Sequence, residues 1–173
     1  FFFKEKNKKS LSLAKSFKYK KVMLKAGLVG AGHLGKIHLK LLNQSEKYDL
    51  VGFHDKDIEN SKKLEAEFGY KFYENLDELL DKIEVLDIVT PTFYHHDYAK
   101  IAIERGLDFF IEKPVTQTLE QAEEIIQLCN EKGIRAQVGH VERYNPAFIA
   151  TKPFISEPKF IEIHRLAEFN PRG

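Results

Sequence analysis

From Leu24 onward the chain alternates between two spacings of apolar residues. LKAGLVG (24–30), YDLVGFHD (48–55), YKFY (70–73), VLDIVT (85–90), LDFFIE (107–112) and IRAQVGH (134–140) are short apolar runs bounded by glycine or charge, the pattern of strands. Between them, HLGKIHLKLLNQ (33–44), IENSKKLEAEFG (58–69), LDELLDK (76–82), HDYAKIAIERG (96–106) and LEQAEEIIQLCNEKG (119–133) repeat apolar residues every three or four positions, as helices do. Six strands with helices between them predict a parallel sheet covered on both faces, the doubly wound α/β architecture.

Composition narrows the class. With 173 residues and 43% hydrophobic content, the chain can bury one good-sized core, leaving a fragment of a second domain. No apolar run approaches the roughly 20 residues of a membrane span, so a soluble protein without a membrane partner is expected. The single cysteine, Cys129, permits no internal disulfide and fits a reducing, cytoplasmic setting; in its helical pattern it reads as a small core residue. The net charge of +1 hides a split: residues 1–22 hold eight lysines and one glutamate, about +7, and leave the rest acidic. An acidic body excludes nucleic acid as a partner, since phosphate affinity needs clustered Lys and Arg on the fold. The basic tail 1–22 lacks the apolar stretch of a secretory signal and stops before Met23, the only methionine. It reads as a disordered or non-native tail of translated upstream sequence, with Met23 as the real start; a basic anchoring tail is the alternative.

The first strand-to-helix turn carries the main motif, GAGHLG, with glycines at 30, 32 and 35. Gly30 allows the tight turn, Gly32 lets backbone approach a pyrophosphate, and Gly35 lets the helix pack closely on its strand. His33 and Leu34, at the helix start, stand with them as cofactor-binding positions, where unpaired N–H groups favour an anion. A glycine-rich turn can simply make a bend, but the second strand ends at Asp55, twenty residues after Gly35, where a dinucleotide needs a carboxylate for the adenosine ribose. A carboxylate repels a 2′-phosphate, which favours NAD over NADP, although His54 and Lys56 beside it could offset that repulsion.

Two later strands also end in polar loops. TPTFYHH (90–96) and EKP (112–114) lie beyond carboxyl ends of strands, where open α/β sheets bind ligands. Pro91 turns the chain from the sheet while Thr90 and Thr92 offer hydroxyls; alternatively Thr92 caps a helix. His95 or His96 reaches the pocket, or both sit on a helix surface. Glu112 can bind ribose hydroxyls, and Lys113 can face the reacting hydroxyl or carbonyl and help relay its proton. A solvated Glu–Lys pair at a strand end is the plain alternative. No metal ligand set stands out.

GLVGAGHLGKIH, TPTFYHHDYAKIAIERG, FFIEKPVTQTLEQAEEI and VGHVERYNPAF together resemble the N-terminal half of the Gfo/Idh/MocA oxidoreductases over residues 24–150. The EKP tripeptide is the specific part, and GHVERYNPAF is most similar to sugar-nucleotide members of the UDP-N-acetylglucosamine 3-dehydrogenase type. The resemblance implies a Rossmann-type NAD(P)-binding domain over 23–146, with 147–173 as the start of a truncated α+β substrate and oligomerisation domain. It implies hydride transfer between nicotinamide and a hydroxyl of a sugar or nucleotide sugar, by a full-length form that is a homo-oligomer. It places Gly30, Gly32, Gly35 and Asp55 at the cofactor, Thr90, Pro91 and His95 along its cleft, and Glu112 and Lys113 at nicotinamide and substrate. Pro114 matches a family proline where a cis peptide is worth checking. Arg143, Tyr144 and Asn145 match a segment that can meet the substrate; the residues themselves make Asn145-Pro146-Ala147 a capped helix start, which leaves Arg143 as the better candidate for holding an anionic or sugar group. The family's second domain supplies a catalytic Asp and His that this chain lacks. KFIEIHRLAEFN (159–170) alternates as that domain's first strand, so a truncated cofactor half, inactive alone, is expected. A non-catalytic NAD-binding regulator of the same fold is the alternative; a methyltransferase with a glycine-rich turn fits the EKP segment less well.

Overall fold

The computed structural model describes residues 23–164 and 166. The tail 1–22 and the proposed start at Met23 therefore concern residues outside those described, apart from Met23 itself. The elements run β1 (Leu24–Val29), α1 (His33–Gln44), β2 (Tyr48–His54), α2 (Ile58–Phe68), α3 (Leu76–Leu80), β3 (Val85–Ile88), α4 (His95–Glu104), β4 (Asp108–Ile111), α5 (Leu119–Lys132), β5 (Ala136–Val138) and α6 (Pro146–Thr151). All strand pairs are parallel, in the order β2-β1-β3-β4-β5. No described helix is long and apolar enough to cross a membrane.

The expected doubly wound sheet is present with five strands, not six. YKFY pairs with β2 only at the single bridge Phe53–Phe72. Phe72 packs its ring 5.5 Å from Phe53, and the chain then leaves the sheet edge because Asn75 caps α3 by accepting the Asp77 N–H. Residues 159–164, expected in a strand, form none; Arg165 and 167–173 lie outside the described residues.

Alternation along the strands sorts two cores. Val29, Leu86, Ile88, Phe109 and Ile111 pack with Ala99, Ala102 and Ile103 of α4 and with Ile125 and Cys129 of α5. Leu28 and Phe53 pack with Leu39 of α1 and Leu64 of α2. Cys129 is thus the core residue its pattern indicates, and burial pushes its thiol up.

Helix ends follow local chemistry. Gly69 and Gly133 close α2 and α5 in the left-handed conformation, φ 74° and 69°. Asp57 caps α2 through the Asn60 N–H, and Thr118 caps α5 through the Gln121 N–H at 3.4 Å. That bond is long, so Thr118→Ala is expected to cost about 0.5 to 1 kcal/mol in urea unfolding, the lower part of the range for a cap. Thr92 is not a cap: it opens a short 3-10 turn (Thr92–Tyr94) before α4, which has no side-chain cap.

Residues from Gly139 form a second compact unit. Within it, a 3-10 turn (Val141–Tyr144) leads to α6, where Asn145 accepts the Ala147 N–H at 3.0 Å and Pro146 occupies the first turn, as the Asn-Pro-Ala start implies.

Candidate functional site

The glycine turn divides into two parts. Gly30, at φ 94°, would set a Cβ 2.6 Å from the Thr90 amide nitrogen, and Gly35 would set one 1.9 Å from the Gly30 carbonyl oxygen. Both are required for the start of α1 to lie against the turn. Gly32 differs: a Cβ there meets nothing within 4 Å. Gly32 is the residue before α1 and offers no side-chain cap. Amides at the head of a twelve-residue helix therefore face open space beside His33 and Leu34, both exposed. Such a cradle suits an anion, because those N–H groups lack partners in the helix and its dipole favours negative charge.

Asp55 connects this turn to the end of β2. Its Oδ2 accepts the Ala31 N–H at 2.6 Å, and its Oδ1 accepts the Asp57 N–H at 2.9 Å. A carboxylate has about four lone-pair positions, so two remain for sugar hydroxyls. Beside it a cavity of about 290 Å³ is lined by Gly30, Asp55, Lys56, Thr90, Pro91 and Tyr98, among others. Thr90 Oγ1 is buried without a hydrogen-bond partner among the described residues, an orphan that a ligand in this cavity could satisfy. Lys56 Nζ lies 3.9 Å above the Tyr94 ring, and His54 Nδ1 lies 2.9 Å from the Tyr73 carbonyl oxygen. Burial, with the Asp55 charge second, pushes the Tyr98 phenol up. Sequence reading missed Tyr94, which ends the 3-10 turn, and Tyr98, which lies in the first turn of α4; an aromatic at either place also fits plain packing.

The other loops place the remaining expected residues. His95, expected along the cleft, is 1% exposed. Its nitrogens lie 2.9 Å from the Pro114 carbonyl and 2.8 Å from the Thr90 carbonyl, so it braces two loops from behind. His96 joins Lys100 in binding Glu124, tying α4 to α5. Glu112, expected at ribose hydroxyls, is 6% exposed and turned inward: its Oε2 accepts the Lys113 N–H at 3.1 Å, and its Oε1 faces His38. Lys113 itself is exposed, its ammonium unpaired among the described residues, and the Lys113–Pro114 peptide is cis. Thr90 and Pro91 do line the cavity beside Asp55. Arg143 and Tyr144 belong to the second unit, both exposed in its turn Val141–Tyr144.

The family of oxidoreductases with an NAD-binding Rossmann fold, Gfo/Idh/MocA, matches residues 24–140. The chain belongs to this family. Among curated Gfo/Idh/MocA relatives, the UDP-N-acetylglucosamine 3-dehydrogenase of Acidithiobacillus ferrooxidans is 31% identical over 157 residues, covering 88% of this chain and 48% of the relative. Its crystal structure superposes with a TM-score of 0.70 at 30% identity, over 77% of this chain and 44% of that one. A protein from gentamicin A biosynthesis, solved in complex with NAD, superposes with a TM-score of 0.72 at 26% identity, over 78% and 39% of the two chains. The chain thus spans less than half the length of these Gfo/Idh/MocA relatives. The resemblance in the sequence, including its leaning toward the UDP-N-acetylglucosamine 3-dehydrogenase type, agrees with these matches.

Proposed function

We propose that the chain is the cofactor-binding half of an NAD-dependent oxidoreductase that acts on a hydroxyl of a sugar or nucleotide sugar. The observation that carries this reading is the pairing of an open helix head at Gly32 with the Asp55 carboxylate on the same turn. The head of α1 holds the pyrophosphate, Asp55 holds the adenosine ribose, and the cavity bounded by Thr90, Pro91, Tyr94 and Tyr98 takes the adenosine end. The Asp55 carboxylate, with lone pairs left for a free 2′-hydroxyl and a charge that repels a 2′-phosphate, supports NAD over NADP. A bound nicotinamide supplies the hydride acceptor. Lys113, exposed and unpaired among the described residues just beyond β4, orients the substrate oxygen and relays the proton that leaves it as the hydride departs. The sugar class follows from relatives such as the UDP-N-acetylglucosamine 3-dehydrogenase, with Arg143 and Tyr144 as candidate substrate contacts.

Fluorescence titration of the chain with NADH and NADPH tests the cofactor half; at least about tenfold tighter binding of NADH is expected, which corresponds to about 1.4 kcal/mol. In the whole protein, Lys113→Ala should lower kcat by about 10²- to 10⁴-fold, the usual worth of a proton-transfer group, with the NADH Kd nearly unchanged. Undiminished turnover in that variant removes the role of Lys113. A whole protein that binds NADH but turns over no sugar or nucleotide sugar points to the regulator alternative.

A further inference from the structure

One buried polar cluster has no part in the cofactor reading. His38 on α1, Asp87 within β3 and Glu112 just past β4 meet on the α1 side of the sheet, both carboxylates being 6% exposed. His38 Nδ1 lies 2.9 Å from Asp87 Oδ2, and its Nε2 lies 3.5 Å from Glu112 Oε1. The second Glu112 oxygen accepts the Lys113 backbone N–H at 3.1 Å. The Phe110 ring tilts against the imidazole at 5.8 Å, fixing its plane. Asp87 Oδ1 has no hydrogen-bond partner, so this carboxylate depends on His38 for its one described contact.

Two carboxylates removed from water flank one imidazole. A neutral imidazole has one N–H and can serve only one of them, whereas an imidazolium has two and serves both. We propose that His38 is a positioning residue: its imidazolium bridges Asp87 and Glu112, holds the Glu112 carboxylate against the Lys113 amide, and ties the Lys113 backbone to pH.

The titratable groups facing His38 are Asp87 from β3, Glu112 beyond β4 and, across a cavity of about 300 Å³, Tyr48 from β2. Burial alone would lower the basicity of His38, but the hydrogen bond and charge of Asp87, with the charge of Glu112, raise its pKa above the ordinary 6.5. Burial pushes the Asp87 carboxyl up against the pull of His38, so both shifts keep a proton within the pair. The sign follows: a raised folded-state pKa makes the bridge fully effective below about 6.5, with its contribution lost as pH rises through the raised value. The longer 3.5 Å contact to Glu112 breaks first, while the 2.9 Å contact to Asp87 persists. Glu112, then unpaired and repelled by Asp87, no longer fixes the Lys113 amide.

The experiment is an NMR titration of the chain from pH 5.5 to 9, following the His38 ring and the Lys113 amide. The Lys113 amide is expected to shift with the His38 midpoint, and that transition should vanish in His38→Gln. Asp87→Asn, which keeps the size of the side chain, should move both midpoints to lower pH together, and it serves if His38→Gln does not fold. A Lys113 amide that ignores the His38 titration overturns the inference.

Discussion

Gly32→Ala should fold with wild-type stability and lose at least about tenfold in NADH affinity, roughly 1.4 kcal/mol. The site separates the two effects. A Cβ at position 32 meets no protein atom within 4 Å, and the backbone there, φ −65° and ψ −160°, is open to any residue. The methyl instead occupies the space above the first amides of α1, where a pyrophosphate needs close backbone approach. Thermal unfolding and NADH titration on one preparation read both quantities. Unchanged affinity would mean that the open helix head takes no part in binding. Asp55→Ala is a weaker probe, since its loss also frees the Ala31 and Asp57 amides.

Gly35→Ala, three residues on, should show the opposite balance: destabilisation of about 4 kcal/mol or more, or no folded protein. Its Cβ would lie 1.9 Å from the Gly30 carbonyl oxygen, which is backbone and cannot rotate away. Gly30 cannot retreat either, being itself held against Thr90 and bonded through its N–H to the His54 carbonyl at 3.0 Å. The whole of α1 would have to move off the sheet. Urea unfolding by circular dichroism gives the value, and stability within 1 kcal/mol of wild type would disprove the close contact.

The contrast between these glycines shows how far the sequence could be read. GAGHLG between a strand and a helix was enough to locate the turn, and the bounds of α1 (His33–Gln44) coincide with the stretch of helical spacing because Gly32 before it and Ser45 after it both leave helical geometry. Apolar spacing misjudged YKFY, where an alternating pattern serves one aromatic contact and a single bridge and the capping of α3 then withdraws the chain. Side-chain direction was out of reach. Glu112 and His95 look like cleft residues from their loops, yet each is buried, because each has partners from elements distant in the chain, His38 for one and the Pro114 carbonyl for the other. Asp87 offered a clue, a charge inside the apolar run VLDIVT, which a buried strand tolerates only with a partner. That partner, His38, lies 49 positions away, a distance no local pattern bridges.

If Asp55 reads the ribose as proposed, the bond from the Ala31 amide to its carboxylate makes cofactor choice and the cohesion of the turn a single heritable trait. Replacing Asp55 by a small neutral residue is the direct route toward a phosphorylated ribose, and it also releases the amide that the carboxylate restrains. A lineage changing its cofactor, or an engineer attempting the same, must therefore find a second residue to anchor the turn before the first exchange becomes tolerable.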